Sequence, residues 1–480
     1  MSASTTVSST TRERMPGAMV PLLIGNKDIT TPDTFDVNNP GKGYVEHKSS
    51  TALVEHARLA IESAENAFSV WSITKPAVRR DILSKAADIF LARKDEFIGY
   101  MIETGSQQEF AEFILMLGVN LLKDVAGKVS GIEATSPALA QEGTGALVYK
   151  QPYGVVLGIA PWYECTLYLG YSSCGTSTCS WKYHNSEGLR TLSPKCFWAI
   201  GDAFRQAGLP DGCLNVIYSR PSDAWEVTTA LIAHPAVKKL SFTGSTVTGR
   251  KVAHLAAEYI KPVILKLGGK APTVVLEDAD VDKAALGATL GSFIHRIIVH
   301  RSIADRFRKA LKASVDSVFG GPGTPLVTIN PAAIAKNKEL VQDAISKGGK
   351  VFIGDLDTQA TLDTSMGVVV VEDVTAEMEI YKTESFGPTV LLFVVDSDEE
   401  AIKLANDTEY GLSASVFTES LVRGLKVAKQ IESGAVHINS MSVHDEAALP
   451  HGGVKCSGFG RFGTNMLDEF LWTKSVTWME

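Results

Sequence analysis

The feature that most narrows the possible folds of this chain is an alternation that begins at Gly154 and recurs after Lys266. Short β-branched and aliphatic runs (GVVLGIA, LNVIY, KKLSFTG, PVILKLGG) are separated by stretches whose apolar residues return at helical spacing. Side chains on one strand face repeat about every two residues and those on one helix face every three to four, so strands and helices follow in turn. Parallel strands need long crossovers, and the intervening helices supply them. The pattern predicts an α/β chain on doubly wound parallel sheets. A second series, TVVLEDAD, RIIVH, KVFIG, VVVVEDV and TVLLFVVDS, predicts a second lobe with a cleft between the two.

Upstream, Val54, Ala57, Ile61, Ala64, Phe68 and Trp71 make one apolar helix face. Ile82, Ala86 and Ile89 are the expected buried side of a second helix starting near Ala77. FDVNN reads as a strand ending at the Pro40–Gly41 turn. Ser193 followed by Pro194 reads as the cap and first residue of a helix to Ala207. A length of 480 residues exceeds one compact domain, and 45% hydrophobic residues suffice for large cores. The net charge of −8, with no basic stripe, excludes a nucleic-acid surface. No apolar run reaches membrane-spanning length. Residues 1–20 read as a disordered tail without the apolar core of a secretory signal, and Arg12 and Arg14 are thin support for a mitochondrial presequence. The 6 cysteines form no disulfide framework, so a cytoplasmic protein is expected.

The strongest local motif is SFTGSTVTG, residues 241–249, a strand running through a glycine turn into a helix from about Thr246. Helix-start amides favour an anion, so Gly244 and Ser245 are candidates for a pyrophosphate, with Gly249 in the same motif. Alone, such glycines equally well shape a strand-to-helix turn. Further on stand ILKLGGKAP, ESFGP at 384–388, NDTEYGLSASVFT, and GAVHINS with LPHGGVKCSGFGRFG. In that order and spacing the set resembles the aldehyde dehydrogenase family, from FDVNNPGKG to the C-terminus. GTGALVYKQPYGVVLGIAPW and VHINSMSVHDEAALPHGGVK look most like its salicylaldehyde and vanillin dehydrogenase branch.

The resemblance implies an α/β fold with a Rossmann-like NAD(P) domain (21–130 and 149–265), a catalytic domain (266–450) and a small β arm for oligomerisation (131–148 and 451–480). It implies NAD or NADP as cofactor, a small-molecule aldehyde as substrate and a homo-oligomer. The reaction would oxidise the aldehyde to a carboxylic acid through a cysteine thiolate, a glutamate base and an oxyanion asparagine. By the same resemblance Gly244, Ser245 and Gly249 sit at the pyrophosphate turn, Leu267 and Gly268 beside the nicotinamide, and Glu384 and Phe386 at the nicotinamide ribose and ring.

Three parts of the family's machinery are broken. GATLGSF (287–293) runs through Ile294 and His295 straight into RIIVH, so the nucleophilic cysteine and its loop are missing. Cys196 and Cys213 match ordinary buried positions and replace nothing. At the general-base position stands Lys266, whose ammonium has donors and no acceptor. It would serve as a base only if desolvated enough to lose its proton. The third break runs from Tyr163 to Thr191, where text rich in Cys, Ser, Tyr and Trp replaces the asparagine-bearing stretch. Suitable codons read one base later spell the family motifs there, so the hypothesis is a frame error. A transcript whose shifted frame does not spell them would end that reading. Lys182 is not carried over as a cofactor lysine. His437, His444 and the other histidines form no metal pattern. The readings left open are an aldehyde dehydrogenase by descent, a non-catalytic protein of that fold, and a defective gene reading. Unpatterned text in a central element also predicts poor stability.

Overall fold

Strand Val155–Ile159, buried at all 5 residues, forms the middle of the first sheet. The computed structural model describes residues 19–161, 177–182 (backbone only), 193–291, 296–321, 324–328, 330–356 and 362–479. From Val155–Ile159 the chain steps outward through Ser177–Lys182 to Leu214–Tyr218, all parallel. It then returns to the other side for Val237–Thr243 and Val263–Lys266, also parallel. The reversal falls between Val155–Ile159 and Val237–Thr243. In doubly wound sheets ligands bind beyond the carboxyl ends of strands at such a switch point. Antiparallel strands close both edges: Gly458–Phe459 beside Val263–Lys266, and the hairpin Leu22–Ile24/Lys27–Ile29 beside Leu214–Tyr218. Gly25 and Asn26, with φ of 58° and 60°, make its two-residue turn.

The second sheet has the order Lys350–Ile353, Val369–Glu372, Thr389–Val395, Arg296–His300, Pro272–Val275, Ser413–Phe417 and Ala435–Ile438, parallel except at the first pair. Its alternate residues feed separate cores. Val274, Ile298, Leu391, Phe393 and Val416 pack on one face, and Val275, Ile297, Val299, Leu392 and Phe417 on the other. Both alternating series are therefore strands and helices, as their spacing predicts.

Three sequence expectations need correction or completion. Helix Pro76–Ala92 buries Leu83, Ala86, Ala87 and Phe90, while Ile82 and Ile89 are only partly buried. Adjacent apolar pairs (Ile82–Leu83 and Ile89–Phe90) leave the seam ambiguous by one residue, and packing selects the second of each. Helix Pro194–Ala207 begins where expected, but the Ser193 side chain makes no cap bond and its Oγ is buried without a partner. Within the altered text, Ser177–Lys182 forms a strand between two neighbours, although the segment shows no strand alternation. Residues 162–176 and 183–192, with the remainder of that text, lie outside the described residues, as do 292–295.

A two-stranded ladder stands apart from both sheets. Thr144–Pro152 pairs antiparallel with Leu471–Met479 over 9 residue pairs. Its base is tied to the first sheet through Lys239, whose Nζ lies 3.3 Å from Glu469 Oε2 and 4.9 Å from the Tyr153 ring centre. No helix among the described residues is long and apolar enough to cross a membrane.

Candidate cofactor site and the altered catalytic centre

Helix Thr246–Glu258 starts directly after strand Val237–Thr243, with Gly244 and Ser245 as the link. The Ser245 side chain caps it, accepting from the Thr248 N–H at 3.3 Å. Gly244 donates its N–H to the Lys266 carbonyl at 3.1 Å, which ties the turn to the end of the neighbouring strand. Gly249 faces Leu267, and a Cβ there would run into both Leu267 methyl groups. A side chain at 249 would therefore push the helix off the sheet, so this glycine sets their approach.

From Lys266 the chain leaves the first sheet and crosses to the second lobe through Leu267, Gly268, Gly269 and Lys270. The Leu267 N–H donates to the Ser457 carbonyl at 3.0 Å, and Ser457 Oγ donates to the Gly268 carbonyl at 2.6 Å. Glu384 comes in from the other side, its Oε1 accepting from the Gly269 N–H at 2.7 Å. A Cβ on Gly268 would collide with that carboxylate, so only glycine lets the acid lie against the backbone here. Lys336 Nζ holds the Glu384 carbonyl at 2.6 Å, and Lys270 Nζ holds the Thr383 carbonyl at 2.8 Å. Gly244, Ser245, Gly249, Lys266, Leu267, Gly268 and Glu384 thus belong to one run of contacts at the switch point. Phe386 lies two residues on, half-exposed, with a left-handed φ of 49° that a β-carbon-bearing residue seldom adopts.

Burial sets the electrostatics. The Glu384 carboxyl is pushed above its ordinary range by desolvation, against the pull of the Gly269 N–H, Lys336 and Lys270. Lys270 is lowered to about 7 by desolvation and then by Arg296. Tyr410 is raised, first by burial and then by Glu384. Sequence reasoning did not single out Lys270, Lys336, Tyr410 or Ser457. The signal for Lys270 was available, since a lysine directly after LGG and before an apolar strand has to be buried. The others are brought in by tertiary contact alone.

The catalytic side is different. Lys266 is half-buried at the end of its strand, paired with Thr243 on one side and Gly458 on the other. Cys196 and Cys213 are buried in the first core, as small apolar thiols would be. Cys456 is half-exposed, its Sγ 3.5 Å from Arg250 and 3.9 Å from the Glu409 carboxylate. No cluster of His, Cys, Asp and Glu able to hold a metal occurs among the described residues.

A doubly wound sheet with a capped glycine turn at its switch point, and a buried acid approaching from a second α/β lobe, defines a two-lobed α/β protein of the dinucleotide-binding fold type. Residues 28–476 match the aldehyde dehydrogenase family, and the chain belongs to it. It is 37% identical to vanillin dehydrogenase of Pseudomonas fluorescens over 92% of this chain and 94% of that protein. It is 34% identical to salicylaldehyde dehydrogenase of Pseudomonas sp. (strain C18), over 95% of this chain and 97% of that protein. The crystal structure of a salicylaldehyde dehydrogenase from Pseudomonas putida G7 complexed with salicylaldehyde superposes with a TM-score of 0.90 at 31% identity, covering 97% of this chain and 98% of that one. The family's reaction is oxidation of an aldehyde to a carboxylic acid, and its cofactor is NAD or NADP.

Proposed function

We propose that this chain retains the dinucleotide site of its family and has lost the thioester chemistry. Lys266 carries the reading: a cation occupies the position where a carboxylate must take a proton from water. An ammonium has no lone pair to accept that proton. The sequence from Gly291 to Arg296, Ser-Phe-Ile-His between them, also has no thiol to attack a carbonyl. Without the covalent step there is no thioester for a base to hydrolyse, so the two losses act on one pathway.

The cofactor residues fit their group. The amides around Gly244 and Ser245, at the start of a 13-residue helix, would hold the pyrophosphate. Gly249 keeps the helix close to the sheet, and the Leu267–Gly268 backbone would run beside the nicotinamide. Glu384 would accept from the ribose hydroxyls, with Phe386 against the ring. Bound NAD or NADP would supply the hydride acceptor of the family's reaction. The aldehyde of the parent activity is aromatic on this reading, supported by the 37% identity to vanillin dehydrogenase of Pseudomonas fluorescens. The protein is a cytoplasmic homo-oligomer.

The test is to titrate the purified 480-residue chain with NADH and NADPH by nicotinamide fluorescence, then assay it with NAD, NADP and benzaldehyde. Saturable nucleotide binding without aldehyde-dependent reduction is expected. Reduction above an enzyme-free control sinks the loss of chemistry, and absence of any nucleotide binding sinks the retained cofactor site.

A further inference from the structure

Two buried cations meet where the chain enters the second sheet, and only one of them can give up its proton. Lys270 and Arg296 are 2% and 1% exposed. Lys270 ends the crossing through Leu267, Gly268 and Gly269, and Arg296 opens a strand that pairs with Pro272. Both donate to the end of the one-turn helix Glu379–Lys382 and the residue after it. Arg296 holds the Tyr381 carbonyl at 2.5 Å, and Lys270 Nζ holds the Thr383 carbonyl at 2.8 Å. The next residue is Glu384, whose carboxylate accepts from the Gly269 N–H at 2.7 Å. Two adjacent donors, at 269 and 270, therefore grip two adjacent acceptors at 384 and 383.

A buried ammonium that meets a neutral carbonyl is costly to keep charged. Arg296 cannot relieve the repulsion between the two, because a guanidinium does not lose its proton in a protein. Lys336, on helix Pro331–Ser346, also opposes charge on Lys270, and Glu384 is the acid that favours it. Asp407 acts on Arg296 and accepts from the Tyr381 hydroxyl at 2.5 Å. Tyr410 and Glu432 line a partly open crevice of about 10 Å³ together with Lys270, Gly411, Ser413 and Ser433. That is room for about one water, enough to exchange a proton with solvent. Glu432 is itself paired with Lys455 at 2.5 Å. Burial and then Arg296 bring the Lys270 pKa to about 7, so its charge is lost within the ordinary pH range.

We propose that Lys270 is a positioning residue for the nucleotide, and that its proton tunes nucleotide affinity. Charged, it holds the Thr383 carbonyl by a charge-assisted hydrogen bond and keeps the Glu384 carboxylate on the Gly269 N–H, toward the ribose. Uncharged, it donates roughly half as strongly, and the grip on residues 383–384 loosens. A bound dinucleotide brings a negative pyrophosphate and fixes Glu384 as a carboxylate, and both favour the ammonium. By reciprocity the ammonium form binds the nucleotide more tightly, so affinity falls as pH rises through neutrality. The proposal rests on the reading that the dinucleotide site is retained. The two fail differently: absence of NADH binding at any pH overturns both, whereas binding that ignores pH overturns this one alone.

Fluorescence titration of the full chain with NADH at about pH 6 and about pH 8 tests it. NADH is the probe because the 2′-phosphate of NADPH titrates in that interval. The Kd of the parent chain should rise about threefold or more across it. Lys270→Met keeps the bulk without the charge, and should bind more weakly at the lower pH and show no rise. Lys270→Arg cannot shed its proton, and should keep the tighter Kd at both pH values. Circular dichroism checks that each variant is folded. An equal parent Kd at both pH values overturns the proposal. The parent's rise persisting in folded Lys270→Met or in folded Lys270→Arg does so as well.

Discussion

At the scale of single residues, burial is the first influence on the charge of several ionisable groups. His47 is the clearest test outside the cofactor site. Its side chain is 2% exposed, and both ring nitrogens are buried without hydrogen-bond partners. Burial, and then the Lys195 ammonium, lower its pKa from 6.5 to about 3. Glu103 lies 3.7 Å from the ring but binds Lys195 at 2.7 Å, so its charge is already answered. A histidine whose pKa is depressed by folding contributes stability that is present above pH 6.5 and is lost as pH falls toward about 3. Between pH 6.5 and 4.5 the loss from this one group should be about 2 kcal/mol. Urea denaturation across that range should show a shallower acid slope for His47→Leu than for the parent chain. Parallel slopes would mean that His47 takes up its proton without cost.

At the scale of elements, the strands were legible because β-branched runs bounded by glycine and acidic turns leave few alternatives. GVVLGIA, LNVIY and RIIVH became Val155–Ile159, Leu214–Tyr218 and Arg296–His300. The helix start at Thr246 was legible too, whereas the Ser245 cap that holds it is a finding of the structure. The two-residue strand Gly458–Phe459 was not, because its pairing is imposed by the strand it meets. Ser177–Lys182 was not either: its place follows from its neighbours and from the β-tolerant Thr178 and Trp181. Between the lobes, the residues that meet at the switch point (Gly244, Ser245, Leu267, Gly268 and Glu384) were readable through family motifs, whereas Lys270, Lys336 and Ser457 emerge only from three-dimensional packing. Arg296 shows how one element is stapled to others. It opens strand Arg296–His300 at 1% exposure and donates to the carbonyls of Tyr381, Asp407 and Leu404 at 2.5, 2.9 and 3.2 Å. Its guanidinium also lies 4.5 Å from the Tyr381 ring centre. Arg296→Met would fill the space and leave those carbonyls unanswered. A loss of about 3 kcal/mol or more is expected, read as a lower urea midpoint at constant slope. A midpoint equal to that of the parent would show that water takes over the three carbonyls.

At the scale of the whole molecule, the ladder at residues 144–152 and 471–479 is the part a single copy cannot satisfy. In an antiparallel pair, opposed residues point to the same face. The register therefore places Trp472, Lys474, Val476 and Trp478 with Gln151, Tyr149 and Leu147 on one face, and the Trp478 indole covers Gly145. Trp472 is 39% exposed, Val476 and Trp478 are each 42% exposed, and Tyr149 is 39% exposed. Two indoles, a phenol and two aliphatic chains on one open face, with Lys474 over the Trp472 ring and Thr135 paired at Val148 on one edge, form a surface that a second copy would cover. A stable pairing needs roughly 800 Å² per partner, more than the ribbon face alone offers, so the interface must continue onto the body of the neighbouring chain. The proposed homo-oligomer follows from this face. Replacing Trp472 and Trp478 together by glutamate puts two like charges on it and leaves both sheets and all three cores untouched. Light scattering should then give a smaller mass for the variant than for the parent chain at equal concentration, with circular dichroism unchanged. Because a pairing held by apolar area weakens with dilution, the parent chain's mass should also fall toward that of the variant at low concentration. Equal masses for the two proteins at every concentration would remove the ribbon from the assembly.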